Sequence, residues 1–158
     1  MRHALLLPVL LATLAGCAKV NPVEVMEPLE VTTGWFDAGI MADGKNKLVP
    51  TVSLKLRNKA AEPITGVQIM AVFRRVGETE QWGEHYGWAV RRDALAPGAS
   101  TAAIVLRSQL GYTGEQPRIQ ILQHSGFVDA KVEVFLKKGS QVWAKLGDFP
   151  IERQLLTQ

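Results

Sequence analysis

The chain of 158 residues reads as an all-β protein, and three features of it say so. Apolar and polar residues alternate with period two through several segments, as in strands that bury one face. Short clusters of Gly, Pro, Asn and Asp separate those segments and supply turn chemistry. No helical periodicity runs longer than about two turns.

Residues 29–36 form the first predicted strand, rich in β-branched and aromatic side chains. Asp37-Ala38-Gly39 and Ala42-Asp43-Gly44-Lys45-Asn46 mark a connection over 37–47. Residues 49–57 alternate cleanly, with Val52, Leu54 and Leu56 facing one way and Thr51, Ser53, Lys55 and Arg57 the other. After the polar break 58–63, the longest strand spans 64–76 with Val67, Ile69, Ala71 and Phe73 in one register. Met70 and Val72 make its second face partly apolar, which predicts a central strand covered on both sides. Arg74 and Arg75 take it out to solvent, and 77–80 make the next turn.

Residues 81–91 put Trp82, Tyr86, Trp88 and Val90 on one parity, while Gly83 and Gly87 suggest a bulge or bend. Pro97-Gly98 signals a turn before a strand at 101–108. Residues 109–126 read as loop; 117–124 suit a short helix with Pro117 in its first turn, although Ile119 and Ile121 suit a strand equally. The reading leans to a short helical turn or irregular loop. Residues 127–138 alternate again, with Ala130, Val132, Val134 and Leu136 inward and Asp129, Lys131 and Glu133 outward. A hairpin turn at 137–140 leads to the last strand, 141–151, and 152–158 read as a free tail. The count predicts an immunoglobulin-like antiparallel β-sandwich of about seven strands over residues 29–151.

The start of the chain is different in kind. A basic residue, Arg2, precedes an apolar run too short to span a bilayer as a stable helix, and small residues follow. This pattern is a secretory signal, and it ends in Leu14-Ala15-Gly16-Cys17. Those four residues match the lipobox of bacterial lipoproteins, and Cys17 is the only cysteine. The resemblance implies that residues 1–16 are removed and that the Cys17 thiol is alkylated with diacylglycerol. It also implies acylation of the new amino terminus. Ala18, where Asp would favour inner-membrane retention, implies the outer membrane by the same resemblance. Two or three acyl chains give stable attachment, at about 0.8 kcal/mol for each buried methylene. With its only thiol used in this way the domain has no disulfide, and packing must stabilise it. Residues 17–28, with Pro22 and Pro28, read as the lipidated cysteine and an extended tether; the other reading pairs Val23 and Val25 as an edge strand.

Without residues 1–16 the chain loses one of its 18 basic residues, leaving 17 against 15 acidic ones. That near-neutral, interspersed balance argues against a nucleic-acid partner. It is compatible with a position near anionic lipid. The remaining length suits one domain with a real core.

The stretch from Thr51 to Leu106 resembles bacterial cell-surface immunoglobulin-like modules of the FxLYD type. The residues that carry the likeness are Leu54-Lys55-Leu56-Arg57-Asn58, Pro63-Ile64-Thr65-Gly66-Val67 and Leu95-Ala96-Pro97-Gly98, while the Phe-x-Leu-Tyr-Asp signature itself is absent. The resemblance implies an extracytoplasmic binding or structural module without catalysis.

Nothing in the sequence assembles a catalytic set. Cys17 is consumed by lipid, and no Gly-x-Ser-x-Gly elbow occurs. His85 and His124 stand apart, with no thiolate or ligand-spaced partner to make a metal site. Glu78, Glu80 and Glu84 read as a solvated turn and strand. No cofactor is implied. The candidate binding residues are Trp82, Tyr86 and Trp88, with Arg91 and Arg92 at the end of the row. Exposed, these rings would make a rigid amphipathic patch and the arginines would meet carboxylate or phosphate. Buried, they would be core, with Trp88 and Trp35 filling the sandwich. The expected function is that of a lipid-anchored, non-catalytic accessory or adaptor module of an envelope complex, with the membrane and a protein as partners. The alternative is a binder of a small sugar or lipid ligand through the aromatic row. An envelope hydrolase is the third reading, and no acid–base pair can be named for it.

Overall fold

The computed structural model describes residues 19–156. In chain order these form α1 (Pro22–Val25), β1 (Met26–Ile40), β2 (Asn46–Asn58), β3 (Val67–Arg75), β4 (Gly83–Val90) and β5 (Ile104–Arg107). After them come β6 (Tyr112–Gly114), α2 (Arg118–Gln123), β7 (Ala130–Lys138), β8 (Ala144–Pro150) and β9 (Leu155–Leu156). One sheet has the order β5-β2-β1-β9, with β6 also pairing β2; the other has the order β4-β3-β7-β8. The pairings are antiparallel apart from β9 beside β1. The expected all-β sandwich is therefore what the chain builds.

The core lies between the sheets, and the period-two readings fill it. Val52, Leu54 and Leu56 from β2 meet Val67, Ile69, Ala71 and Phe73 from β3 and Ala130, Val132, Val134 and Leu136 from β7, all buried. Trp35 supplies the largest buried side chain. Its ring packs edge-on to Phe127 at 4.8 Å between centroids and lies 5.6 Å from Tyr112. A buried side chain of this size contributes through the apolar area it removes from water, so Trp35 is a main source of the packing that holds the sheets together.

Four segments differ from the sequence expectation, each for a local reason. The first strand starts at Met26, so most of the expected tether over 17–28 belongs to the domain. Asn21 accepts from the Val23 N–H at 3.3 Å, Pro22 opens a single helical turn, and buried Met26 carries the chain into the core. Within β1 the register slips between Leu29 and Thr32, and Glu30 takes a φ of 50° there. That is a β-bulge with a non-glycine residue in the left-handed region.

Much of the expected free tail is also ordered. Leu155 and Leu156 pair in parallel with Trp35 and Phe36, and the Gln154 side chain donates to the Thr33 carbonyl at 2.7 Å. Arg153 forks onto Asp129 at 2.6 and 3.1 Å, closing the chain end over Phe127. Residues 157 and 158 lie outside the described residues. Residues 109–126 give both β6 and α2, so the short helical turn forms and a strand precedes it. The first sheet thus gains two short elements, β6 and β9, because strands of two or three residues carry no alternation to read.

Candidate binding face at the amino-terminal end

One end of the sandwich gathers the start of β1, the end of β2, the start of β3, the end of β4 and the β7–β8 hairpin. The pairings Met26↔Asn58, Val67↔Val90 and Val67↔Lys138 place them together. Asn58 holds this end. It is fully buried, and its Nδ2 donates to the carbonyls of Glu62 and Leu95, both at 2.9 Å. Its Oδ1 accepts from the Ala60 N–H at 2.9 Å, while the Gly98 N–H donates to its carbonyl at 2.7 Å. Asn58 thus ties the end of β2 to Leu95 and Gly98, and Leu95 in turn exchanges backbone hydrogen bonds with Ile64. Gly66, at a φ of 65°, then turns the chain into β3 and donates its N–H to the Arg91 carbonyl at 3.0 Å.

The aromatic row divides. Tyr86 and Trp88 stand on the outer face of β4, 60% and 45% exposed. Trp82 precedes the strand and joins the core cluster instead, 6.1 Å from Trp35 and 5.1 Å from Tyr112. Val90, of the same parity in sequence, is buried. The cause is a bulge: Val67 faces Val90 while Gln68 faces Trp88, so Ala89 is the extra residue and parity reverses past it. The expectation of Trp82, Tyr86, Trp88 and Val90 on one face is therefore corrected to Tyr86 and Trp88 alone. The alternative that Trp88 fills the core is corrected by its exposure; Trp35 does so with Trp82 at its side.

Sequence reasoning missed the ring that completes the patch. Trp143 lies 5.7 Å from Tyr86 in an edge-on arrangement, and the Lys137 ammonium sits 5.0 Å above its indole. Lys145 lies 5.8 Å from the Phe135 ring. The signal for Trp143 was present as a lone aromatic three residues after a hairpin turn, but placing it within the strand 141–151 hid it.

Arg91 and Arg92 leave β4 exposed, and with Gly66, Trp88 and Asp93 they line an open cleft of about 620 Å³. Among the described residues neither arginine makes an ion pair, nor does Lys137 or Lys138. Several charges elsewhere are matched, although Lys47, Lys131 and Arg107 also lack an ion pair among the described residues. Glu133 receives Arg74 at 2.8 Å and Lys145 at 2.7 Å, and Asp37 takes Arg118. Hydrogen bonds from Lys145 and Arg74 hold the Glu133 carboxyl below its ordinary pKa. The bond from Arg153 lowers Asp129 in the same way. This end therefore carries positive charge that the fold does not spend, beside indole and phenol faces. Such a surface can stack on flat apolar groups and accept carboxylate or phosphate.

The histidines have structural placements. His85 Nδ1 accepts from the Arg107 N–H at 3.2 Å and so bridges edge strands of the two sheets, β4 and β5. His124 Nδ1 accepts from the Gly126 N–H at 3.0 Å in an exposed turn. Among the described residues no three His, Cys, Asp or Glu side chains gather to hold a metal ion. Cys17 and the signal segment lie outside the described residues. No protein-family model matches the chain, and no curated protein matches it significantly.

Proposed function

We propose that the protein is a lipid-anchored, non-catalytic module of a bacterial envelope, acting as an accessory or adaptor subunit of an envelope complex. Leu14-Ala15-Gly16-Cys17 supports the anchor, and Ala18 supports the outer membrane as its place. The observation that carries the binding role is the outward pair Tyr86 and Trp88, 60% and 45% exposed, ending in unpaired Arg91 and Arg92. Neighbouring exposed rings form an apolar patch of the kind that marks interaction sites, and rings with arginine are what protein interfaces favour. The likeness of 51–106 to FxLYD-type surface modules points the same way.

A second reading has an observation of its own. The cleft of about 620 Å³ beside Trp88 and the two arginines is of the size that holds a small ligand, such as a sugar acid. A photo-activated cross-linker at Tyr86, used in living cells, separates the two. A discrete protein adduct is the expected result. Recovery of the free monomer alone would overturn the adaptor role and leave the small-ligand reading.

A further inference from the structure

We propose that the end carrying Trp88, Arg91, Arg92, Lys137, Val142 and Trp143 rests on the anionic lipid surface to which Cys17 ties the chain. The proposal rests on the lipid-anchor reading and gives Trp88, Arg91 and Arg92 to lipid, which leaves Tyr86 as the exposed ring of that row open to a protein partner.

Reach comes first. The Gln141 side chain donates to the Val20 carbonyl at 3.2 Å, so the amino-terminal strand of chain leaves the domain at the β7–β8 hairpin. Cys17 stands three residues before Val20. Even fully extended, three residues reach about 10 Å. A diacylglyceryl group on Cys17 therefore sits within that distance of the hairpin, and the hairpin cannot stand clear of the headgroups.

The second argument is what the hairpin offers there. Val142, in a turn where a polar residue would be at home, is 85% exposed. Trp143 follows it and packs edge-on to Tyr86, with Trp88 two residues along the same outer face of β4; indoles, with an apolar body and an N–H, favour the boundary between headgroups and acyl chains. Charge is the third argument. Arg91, Arg92, Lys137 and Lys138 make no ion pair among the described residues, whereas Arg57, Arg74, Arg75, Arg118 and Arg153 do. Asp93 lines the cleft beside the arginines and offsets part of their charge. Glu24, the acid of α1, accepts from the Asn21 side chain at 3.0 Å. The balance stays positive, and each basic group at an anionic surface is worth about a five-fold gain in association. An apolar tip, interfacial indoles and unmatched cations within reach of one lipidated residue are the parts of a docking surface for phospholipid. In this pose the 41–45 turn points away from the membrane.

The test uses the full chain, purified from membranes and reconstituted in vesicles of phosphatidylcholine with phosphatidylglycerol. Val142→Cys supplies a thiol for a dye whose emission moves to the blue on leaving water. Ala42→Cys, exposed on the turn at the opposite end, supplies the control. The expected result is a blue shift at position 142 only, lost in pure phosphatidylcholine. Arg91→Glu with Arg92→Glu, both exposed and so tolerated by the fold, should cut the docked fraction relative to the free one by about 25-fold or more. Equal spectra at positions 142 and 42, with Cys17 blocked by lipid, would overturn the docking and leave the anchor standing. A blue shift at 142 that ignores both the lipid charge and the double arginine variant would overturn the headgroup claim. A second reactive thiol, titrating at Cys17, would overturn the anchor and this orientation with it.

Discussion

Replacing Asn58 with alanine removes three side-chain hydrogen bonds, those to the carbonyls of Glu62 and Leu95 and that from the Ala60 N–H, each 2.9 Å. A buried hydrogen bond is worth about 1 kcal/mol net, and a group left buried without a partner costs about 1–3 kcal/mol. The Leu95 carbonyl still accepts from the Ile64 N–H at 3.0 Å, so it is not orphaned. The Glu62 carbonyl and the Ala60 N–H lose more. The expected loss is about 3 kcal/mol, which in a domain of this size lowers Tm by about 10 °C. Asn58→Asp should cost more, because an acceptor then faces two carbonyls. Urea unfolding followed by tryptophan fluorescence measures both, with exposed Lys59→Ala as a control expected within about 0.5 kcal/mol of wild type. A loss below about 1 kcal/mol for Asn58→Ala, at unchanged m value, would refute the claim that this side chain holds the end together.

Three further outcomes are expected. Gly111→Ala should destabilise by about 3 kcal/mol, since its Cβ would collide with the backbone carbonyl of Leu48, which cannot swing aside; thermal unfolding checks it. Tyr86→Ala and Trp88→Ala should each cost under about 1 kcal/mol by the same assay, whereas Trp35→Ala should cost about 4 kcal/mol. Stability should hold above about pH 5 and fall below it. Glu133 and Asp129, whose ordinary values are 4.5 and 3.8, are both lowered in the folded chain. Their contribution is complete above those ordinary values and is lost as the pH drops through the lowered folded ones. Glu133→Gln should flatten the fall in a pH series of urea midpoints.

Much of the sandwich is legible in the sequence because burial on one face imposes period two. Val52, Leu54 and Leu56, and Ala130 through Leu136, could be assigned to the core from spacing alone. Parity stops being a guide where a bulge inserts a residue, and no local signal near Ala89 announces one. That is why the inward Val90 and the outward Trp88 share a parity. The opposite error occurred at the chain ends. Pro22 and the polar residues of 152–154 read as solvated, yet Thr33, Trp35 and Asp129 order the second segment, while the Lys59 N–H and the Gln141 side chain donate to the Val25 and Val20 carbonyls of the first. Of the candidate site, Tyr86, Trp88, Arg91 and Arg92 were visible as residues. Their grouping with Trp143 and Lys137 depends on β3 pairing with β4 on one side and β7 on the other, which sequence distance conceals.

The central claim is the anchor, and the mass of the amino-terminal peptide tests it most directly. Protein purified from membranes and digested should yield a peptide that begins at Cys17 and carries the added mass of a diacylglyceryl group, with a further acyl chain on its amine. In Cys17→Ser that added mass should vanish and the protein should leave the membrane fraction. An unmodified Cys17 peptide, or one that retains residues 1–16, would contradict the account.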